Sequence, residues 1–201
     1  RDPRLARALR GRVVRVPGAF DGFEAGVRAL LGQQVSVAAA RTLAGRLVVA
    51  CGEPLADADG SITHVFPTPA AVATSRLEKL GLTRSRAAAL RGFAAAIADG
   101  SLDLGAFRDL DDAVTKLTAL PGIGDWTAQY VAMRALAEPD AFPAGDLGVR
   151  QALQSHGRLP SERETRERAE RWRPWRSYAV LALWTEPRKQ RMKRKTRKVM
   201  S

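Results

Sequence analysis

The sequence contains few of the residues that hold metals or disulfides: one cysteine, Cys51, and two histidines, His64 and His156, among 201 residues. A single cysteine excludes a disulfide framework, a four-cysteine zinc site and a four-cysteine iron–sulfur cluster within this chain. We therefore expect no transition-metal site, and we assign neither histidine a catalytic role. No apolar run reaches the ~18 residues of a membrane span, and no apolar segment follows the basic N-terminus as in a secretory signal.

Acidic residues are scarce relative to basic ones, 21 against 33, which gives a formal net charge of +12. Eight of these excess charges lie in the segment 187–201, which has no acidic residue, so the rest of the chain is only mildly basic. This balance indicates a polyanionic partner. The tail itself is typical either of a non-specific nucleic-acid-binding arm or of a solvated extension without function.

The rest of the chain has the composition of an ordinary globular protein, with 45% hydrophobic residues and helical spacing of apolar side chains. Residues 52–64 are rich in Gly, Asp, Pro and Ser and predict a surface loop, and no segment alternates as a strand would. The sequence therefore predicts an all-α, compact multi-helix bundle, with an N-terminal segment at 1–16, a helical domain at 17–186 and a tail at 187–201. Expected helix N-caps are Asp21, Ser36, Thr68, Thr83, Asp103, Asp111, Asp146 and Ser161.

A helical hairpin is predicted over residues 111–136, with the turn Leu120-Pro-Gly-Ile-Gly124 between a polar run and an apolar run. Pro121 presets φ, and the two glycines allow backbone shapes that other residues resist. The second helix would then begin with backbone N–H groups that no side chain guards, an arrangement typical of phosphate binding. Taken alone, such a glycine turn is more often an ordinary connection between helices than a phosphate site.

The turn, the Trp126-Thr-Ala-Gln-Tyr130 that follows it, and Asp146 beyond the next loop resemble the helix-hairpin-helix DNA glycosylases. Within that superfamily the chain resembles the DNA-3-methyladenine glycosylase II type, over segments 23–37, 66–69 and 171–178 as well. The resemblance implies two helical lobes with the active-site cleft between them, and release of alkylated purines from damaged double-stranded DNA. We expect a cytoplasmic, nucleoid-associated protein that makes no membrane contact. We expect it to act as a monomer, alone or as part of a larger fused protein.

The resemblance also implies a role for individual positions. Asp146 matches the catalytic aspartate, Gln34 matches the wedge residue that fills the gap in the DNA stack, and a bacterial relative has leucine there. No cofactor is required in this family, although hairpin carbonyls share a monovalent cation, Na⁺ or K⁺, with a DNA phosphate. The base-pocket aromatics would be Trp126, Tyr130 and Trp184, and the DNA-backbone contacts Gly122, Ile123 and Gly124.

The chemistry fits these residue types. A carboxylate at Asp146 would stabilise the positive charge that develops on the sugar and orient the attacking water; it can cap a helix at the same time, while Asp125 and Asp140 are weaker candidates. Because an alkylated purine is already cationic, it leaves without protonation, and aromatic rings suit it. The plain alternative for the aromatics is a core stripe. Family members that also cleave the strand have lysine where this chain has Trp126, so we expect no Schiff-base lyase activity.

Two other functions remain compatible with the sequence: a non-catalytic helix-hairpin-helix module that binds bent or damaged DNA, and a helical interaction domain with a basic tail. Asp146 argues against the first, since pure binding of a polyanion does not need a buried carboxylate. The hairpin and its spacing to Asp146 argue against the second.

Overall fold

A computed structural model describes residues 2, 5–6, 10–11, 13–60 and 62–185. The chain divides into two compact units, a larger unit at 16–143 and a smaller unit that joins 1–15 to 144–201. Helices dominate both, which confirms the predicted helical, two-lobed fold. The basic tail at 187–201 lies outside the described residues, as does part of the N-terminal segment 1–16. None of the described helices has the length and apolarity needed to cross a membrane.

The larger unit is built around a nearly all-buried first helix. The buried positions of this helix, α1 (Gly22–Leu31), include Val27, Leu30 and Leu31, and its Phe23 ring stacks on Phe93 of α4 (Arg84–Ala98) with 5.8 Å between ring centroids. The helices are α1 (Gly22–Leu31), α2 (Val37–Cys51), α3 (Pro69–Thr74), α4 (Arg84–Ala98), α5 (Leu110–Thr118) and α6 (Asp125–Ala135), with a 3₁₀ turn at Leu77–Leu80. Apolar burial of this kind stabilises by about 1.5–3 kcal/mol per large side chain, so the core fixes where α5 and α6 present their turn.

The prediction of a plain loop at 52–64 is wrong. Two short antiparallel strands, β1 (Pro54–Asp59) and β2 (Ile62–His64), pair there through a tight turn. The sequence signal was the dipeptide Gly60-Ser61, a preferred two-residue hairpin loop, and Gly60 has the positive φ of 55° that suits its first position. His64 lies on β2, where its Nδ1 contacts Thr63 Oγ1.

The two helix caps predicted at Asp103 and Asp111 are also wrong. Asp109, not Asp111, is the N-cap, and its Oδ1 accepts from Asp112 N at 2.8 Å. Asp103 caps no helix; its carboxylate accepts from Gly105 N in a turn. Asp112 reaches back to Arg108 N and also binds Lys116, and the Lys116 hydrogen bond, with the backbone contact, lowers the pKa of Asp112 to about 2. Asp109 Oδ1 accepts from Asp112 N and Asp112 Oδ2 accepts from Arg108 N, and these two contacts together select the helix start.

The smaller unit contains α7 (Leu147–Ala152), α8 (Glu162–Ala169), a 3₁₀ turn (Glu170–Trp172) and α9 (Arg176–Thr185). Trp172 is a buried packing residue, and its Nε1 donates to Asp2 Oδ2 at 3.1 Å. Trp175 is not, because 56% of its surface is exposed. The remaining predicted caps are confirmed by side-chain hydrogen bonds: Asp21, Ser36, Thr68, Thr83, Asp146 and Ser161.

Candidate active site

The hairpin turn, residues 120–124, joins α5 to α6 in the larger unit. Gly122 has a φ of 83°, and a Cβ there would lie 2.4 Å from Ala89 Cβ, so only glycine fits. Ile123 is buried, so its side chain anchors the turn and only its backbone can meet a ligand. Gly124 is the N-cap of α6, and no side chain among the described residues caps that helix. The backbone at the start of α6 is therefore suited to a phosphate.

A second loop, residues 32–36 between α1 and α2, carries Gln34 and is here called the wedge loop. Gln34 has a φ of 54°, a conformation uncommon outside glycine. The neighbouring Gln33 was not identified from the sequence. Its side-chain Nε2 donates to Gly122 O at 3.1 Å and to Thr127 Oγ1 at 2.9 Å. The wedge loop and the hairpin turn therefore touch directly.

Two of the predicted pocket aromatics share one face of α6. The rings of Trp126 and Tyr130 stack with centroids 5.3 Å apart and planes 26° from parallel, and both are half-buried. The guanidinium carbon of Arg134, one further turn along, lies 5.9 Å from the Tyr130 ring centroid. This face thus presents an aromatic pair followed by a cation. The cation, Arg134, was not identified from the sequence.

The smaller unit contains the other two predicted residues. Asp146 is the N-cap of α7, and its Oδ1 accepts from Val149 N at 2.9 Å and from Trp184 Nε1 at 2.8 Å. Gly148 lets α9 approach, because a Cβ there would lie 3.1 Å from both Asp146 Oδ1 and Trp184 Cδ1. An ionised carboxylate only accepts hydrogen bonds, which matches the two N–H donors directed at this half-buried side chain.

The other candidates have ordinary positions. Asp125 is the first residue of α6, and Asp140 lies in the loop after it. His156 sits in a surface turn with a φ of 49°, where its Nδ1 contacts Ser155 Oγ. Across the described residues, no group of three or more His, Cys, Asp and Glu side chains could hold a metal ion.

The geometry can be compared with known proteins. Residues 27–177 match the model of the HhH-GPD superfamily base excision DNA repair proteins. The chain belongs to this superfamily. It is 46% identical, over 81% of its length, to the probable bifunctional transcriptional activator/DNA repair enzyme AlkA of Mycobacterium tuberculosis. It is 40% identical, over 75% of its length, to DNA-3-methyladenine glycosylase 2 of Escherichia coli.

A solved structure has the same fold. The 3-methyladenine DNA-glycosylase from Archaeoglobus fulgidus superposes with a TM-score of 0.75, at 29% identity, over 91% of this chain and 65% of that one. The chain spans only 33% of the M. tuberculosis protein and 56% of the E. coli protein. The chain therefore has the HhH-GPD fold. The activities in the names of those longer proteins describe those proteins and are not transferred to this chain by the fold alone.

Proposed function

We propose that this chain is a monofunctional DNA glycosylase that flips alkylated purines, of the 3-methyladenine and 7-methylguanine type, out of double-stranded DNA and hydrolyses the N-glycosidic bond. The observation that carries the proposal is the held carboxylate of Asp146, with two N–H donors on Oδ1, in a chain of the HhH-GPD superfamily. Similarity to relatives named 3-methyladenine glycosylases supports the substrate class.

The reaction begins with binding at the hairpin turn. Backbone N–H groups of Gly122 and Gly124 hold a phosphate regardless of sequence, which suits an enzyme whose substrate damage can occur anywhere. The Ile123 N–H already donates to Leu120 O at 3.1 Å, so Ile123 contributes to this DNA contact by anchoring the turn. A duplex base is unreachable, so the nucleotide rotates out at a cost of a few kcal/mol. Gln34 then fills the gap it leaves; a polar wedge gives hydrogen bonds but less apolar stacking than leucine.

Bond cleavage follows. The bond between sugar C1′ and the base nitrogen breaks with its electron pair going to the base, and a cationic alkylated purine thereby leaves neutral. Positive charge grows on the sugar, and the carboxylate of Asp146 stabilises it. Water adds to C1′, and its proton passes to Asp146 and then to solvent. The product is an abasic site.

The aromatic side chains select the base. Trp126, Tyr130 and Trp184 would contact its ring, and an aromatic face attracts a cation by about 0.5–2 kcal/mol. Because position 126 is tryptophan, the chain has no amine there to form a Schiff base, so we assign it no lyase step.

Two accessory features belong to the same proposal. Hairpin-turn carbonyls are neutral oxygen donors of the kind that alkali cations accept, and Gly122 O already has a donor in Gln33. A monovalent cation, Na⁺ or K⁺, would use the other carbonyls and supply positive charge to the DNA phosphate. The catalytic unit acts as a monomer on damaged duplex DNA, alone or as part of a longer protein such as its M. tuberculosis relative.

One assay tests the proposal: release of free base from methylated duplex DNA by the wild type, Asp146→Asn and Asp140→Asn. Asparagine still caps a helix and still meets Val149 N and Trp184 Nε1 through its oxygen, so Asp146→Asn removes only the charge. We expect at least a hundredfold slower release with DNA affinity retained, and near wild-type rates for Asp140→Asn.

The same reactions, run on a denaturing gel, test the absence of lyase activity. Strand breaks should appear only after alkali or heat. Breaks produced by the pure protein, or a covalent adduct trapped by borohydride, would contradict the monofunctional assignment. DNA binding without release by the wild type would instead identify a non-catalytic binding module.

A further inference from the structure

The wedge loop has an unusual backbone that the surrounding structure must hold in place. Gln34 adopts the left-handed conformation, with a φ of 54°. For a residue with a Cβ this region is unfavourable, and it persists only where neighbouring contacts determine it. The neighbours of Gln34 in the loop are therefore the residues to consider.

Gln33 supplies two such contacts through one side-chain nitrogen. Nε2 donates to Gly122 O and to Thr127 Oγ1, residues that lie 89 and 94 positions further along the chain. A backbone carbonyl can only accept, which fixes the amide orientation with nitrogen toward the turn. Thr127 is buried and belongs to α6, so both partners are parts of the hairpin.

Helix α4 fixes the same junction from the other side. Arg86 Nη2 donates to the backbone carbonyl of Gln33, and Ala89, one turn later, packs against the Cα of Gly122 so closely that a Cβ would not fit. One face of α4 therefore contacts both the wedge loop and the hairpin turn. The three elements form a single junction in which each of the two loops is held by the other and by the helix.

We infer that Gln33 is a positioning residue that sets the wedge residue Gln34 relative to the phosphate-binding turn, so that gripping the DNA backbone and filling the vacated stack occur as one movement. This rests on the proposed function. Without the two hydrogen bonds the hairpin turn would still bind phosphate, but Gln34 would no longer be held in its left-handed conformation at a fixed distance from that phosphate.

The consequence depends on whether the damaged base is paired. In a duplex, rotating the nucleotide out breaks a base pair and leaves a gap that the wedge must fill. In a one-nucleotide bulge the base has no pairing partner, and extrusion requires much less of the wedge. A defect in wedge positioning should therefore slow reaction on the paired substrate selectively, whereas a general loss of structure or of Asp146 would slow both.

The test compares single-turnover release of 7-methylguanine from a duplex and from a bulge by the wild type, Gln33→Ala and Gln154→Ala. Gln154 is the matched control, because its Nε2 also donates to a glycine carbonyl, Gly157 O at 2.7 Å, in the smaller unit. We expect Gln33→Ala to lose tenfold or more on the duplex and less than twofold on the bulge, with Gln154→Ala near wild type on both. An equal loss on both substrates, or no loss, would overturn the inference.

A second variant guards against misfolding. Thr127→Val is nearly isosteric and removes only the hydroxyl acceptor, so it should show a smaller loss of the same selective kind. The double variant with Gln33→Ala should be no slower on the duplex than Gln33→Ala alone, since both changes remove the same hydrogen bond. Additive losses would mean that the two residues act separately and would count against the junction.

A readout independent of catalysis separates the positioning role from the proposed function. The probe is a duplex in which 2-aminopurine lies beside a stable abasic analogue. Its fluorescence brightens when a wedge residue enters the gap and unstacks the 2-aminopurine. At saturating protein the wild type and Gln154→Ala should brighten it, and Gln33→Ala should do so at most half as much. If the wild type excised nothing but this difference held, the proposed chemistry would fail and the positioning role would stand. Equal brightening by the wild type and by Gln33→Ala would refute the positioning role.

Discussion

At the scale of single residues, the two glycines of the hairpin turn have different structural reasons to be there. Gly122 has a positive φ, and its Cα faces Ala89, whereas Gly124 has a φ of −90° and nothing within 4 Å of a built Cβ. Both are exposed, and the sequence pattern alone does not distinguish them. Only the first is required by the fold itself.

This difference gives a matched pair of variants. Gly122→Ala should lower the free energy of unfolding by about 2–4 kcal/mol, because it combines a strained backbone with an overpacked contact. Gly124→Ala should cost less than about 1 kcal/mol, the difference between glycine and alanine as an N-cap. Urea unfolding followed by circular dichroism measures both. Similar midpoints for the two variants would show that the Ala89 contact is not tight.

A second residue-scale prediction concerns Trp184, whose aromatic ring and N–H donor can be separated by substitution. Trp184→Phe keeps an aromatic ring but removes the donor to Asp146 Oδ1. A hydrogen bond to a charged group contributes about 1.5–3 kcal/mol, so single-turnover base release should slow about tenfold or more while DNA affinity stays unchanged. Trp172→Phe is the control, since it removes the same donor from Asp2, a carboxylate without a catalytic role. Equal rates for both variants would show that the Trp184 contact does not assist Asp146.

The sequence predicted the residues whose chemistry is visible in their type. Asp146, Trp126, Tyr130 and the glycine turn stand out because a carboxylate, aromatics at a spacing of four and a Pro-Gly pair each suggest a use. Gln33 did not stand out, because its partners are 89 and 94 positions away and a glutamine in a loop has no pattern. Contacts that depend on tertiary structure are invisible until the helices are assembled.

At the scale of elements, α6 shows what a helix face adds to its separate residues. Trp126, Tyr130 and Arg134 are spaced by four, so each lies over the next along one face. The Arg134 guanidinium already makes a cation–π interaction with the Tyr130 ring. A cationic base would compete with it, and a neutral base would not.

Arg134→Gln should therefore favour cationic bases. We expect the ratio of 7-methylguanine release to release of the neutral adduct ethenoadenine to rise two- to fivefold, which corresponds to about 0.4–1 kcal/mol of recovered cation–π attraction. Arg28→Gln is the control: its guanidinium lies 5.8 Å from the Phe66 ring, and its loss removes the same charge elsewhere. An unchanged ratio in Arg134→Gln, or the same rise in both variants, would refute the competition.

Element boundaries were harder to predict than element types. Three aspartates at 109, 111 and 112 all suit a helix start, and the choice of Asp109 depends on Asp112 reaching back to Arg108 N. In the same way, the polar composition of 52–64 suggested a loop although the short connection at Gly60 joins two paired strands. In both cases a local hydrogen-bonding pattern outweighed average composition.

At the scale of the whole molecule, the division into two units combines segments that are distant in sequence. The smaller unit joins 1–15 to 144–201, and the Trp172–Asp2 hydrogen bond is one contact that holds the N-terminal segment there. The sequence predicted only a division along the chain, at 16 and 186, because composition does not show which distant segments pack together. Which segments fold together is decided by long-range contacts.

Charge is the property that belongs to the molecule as a whole. The proposed phosphate site is made of neutral backbone groups in one turn, whereas the eight basic residues of 187–201 lie outside the described part of the chain. A basic segment binds DNA by releasing counterions, and each phosphate that it neutralises contributes about −0.9 to the slope of log affinity against log salt. Damage recognition and general DNA attraction would then be carried by different parts of the molecule.

Deleting residues 188–201 separates these contributions. The salt slope of binding to undamaged duplex should become shallower by about 0.9 for every phosphate that the tail neutralises, while the ratio of excision from methylated over unmethylated DNA stays the same, because the proposed pocket is intact. A variant with the same tail length but neutral residues should match the deletion, since charge and not length drives counterion release. Fluorescence anisotropy between about 50 and 300 mM salt, roughly a twofold to threefold range of Debye length, measures the slope. If the deletion changed the excision ratio and left the slope unaltered, the tail would act on the base and not on the backbone.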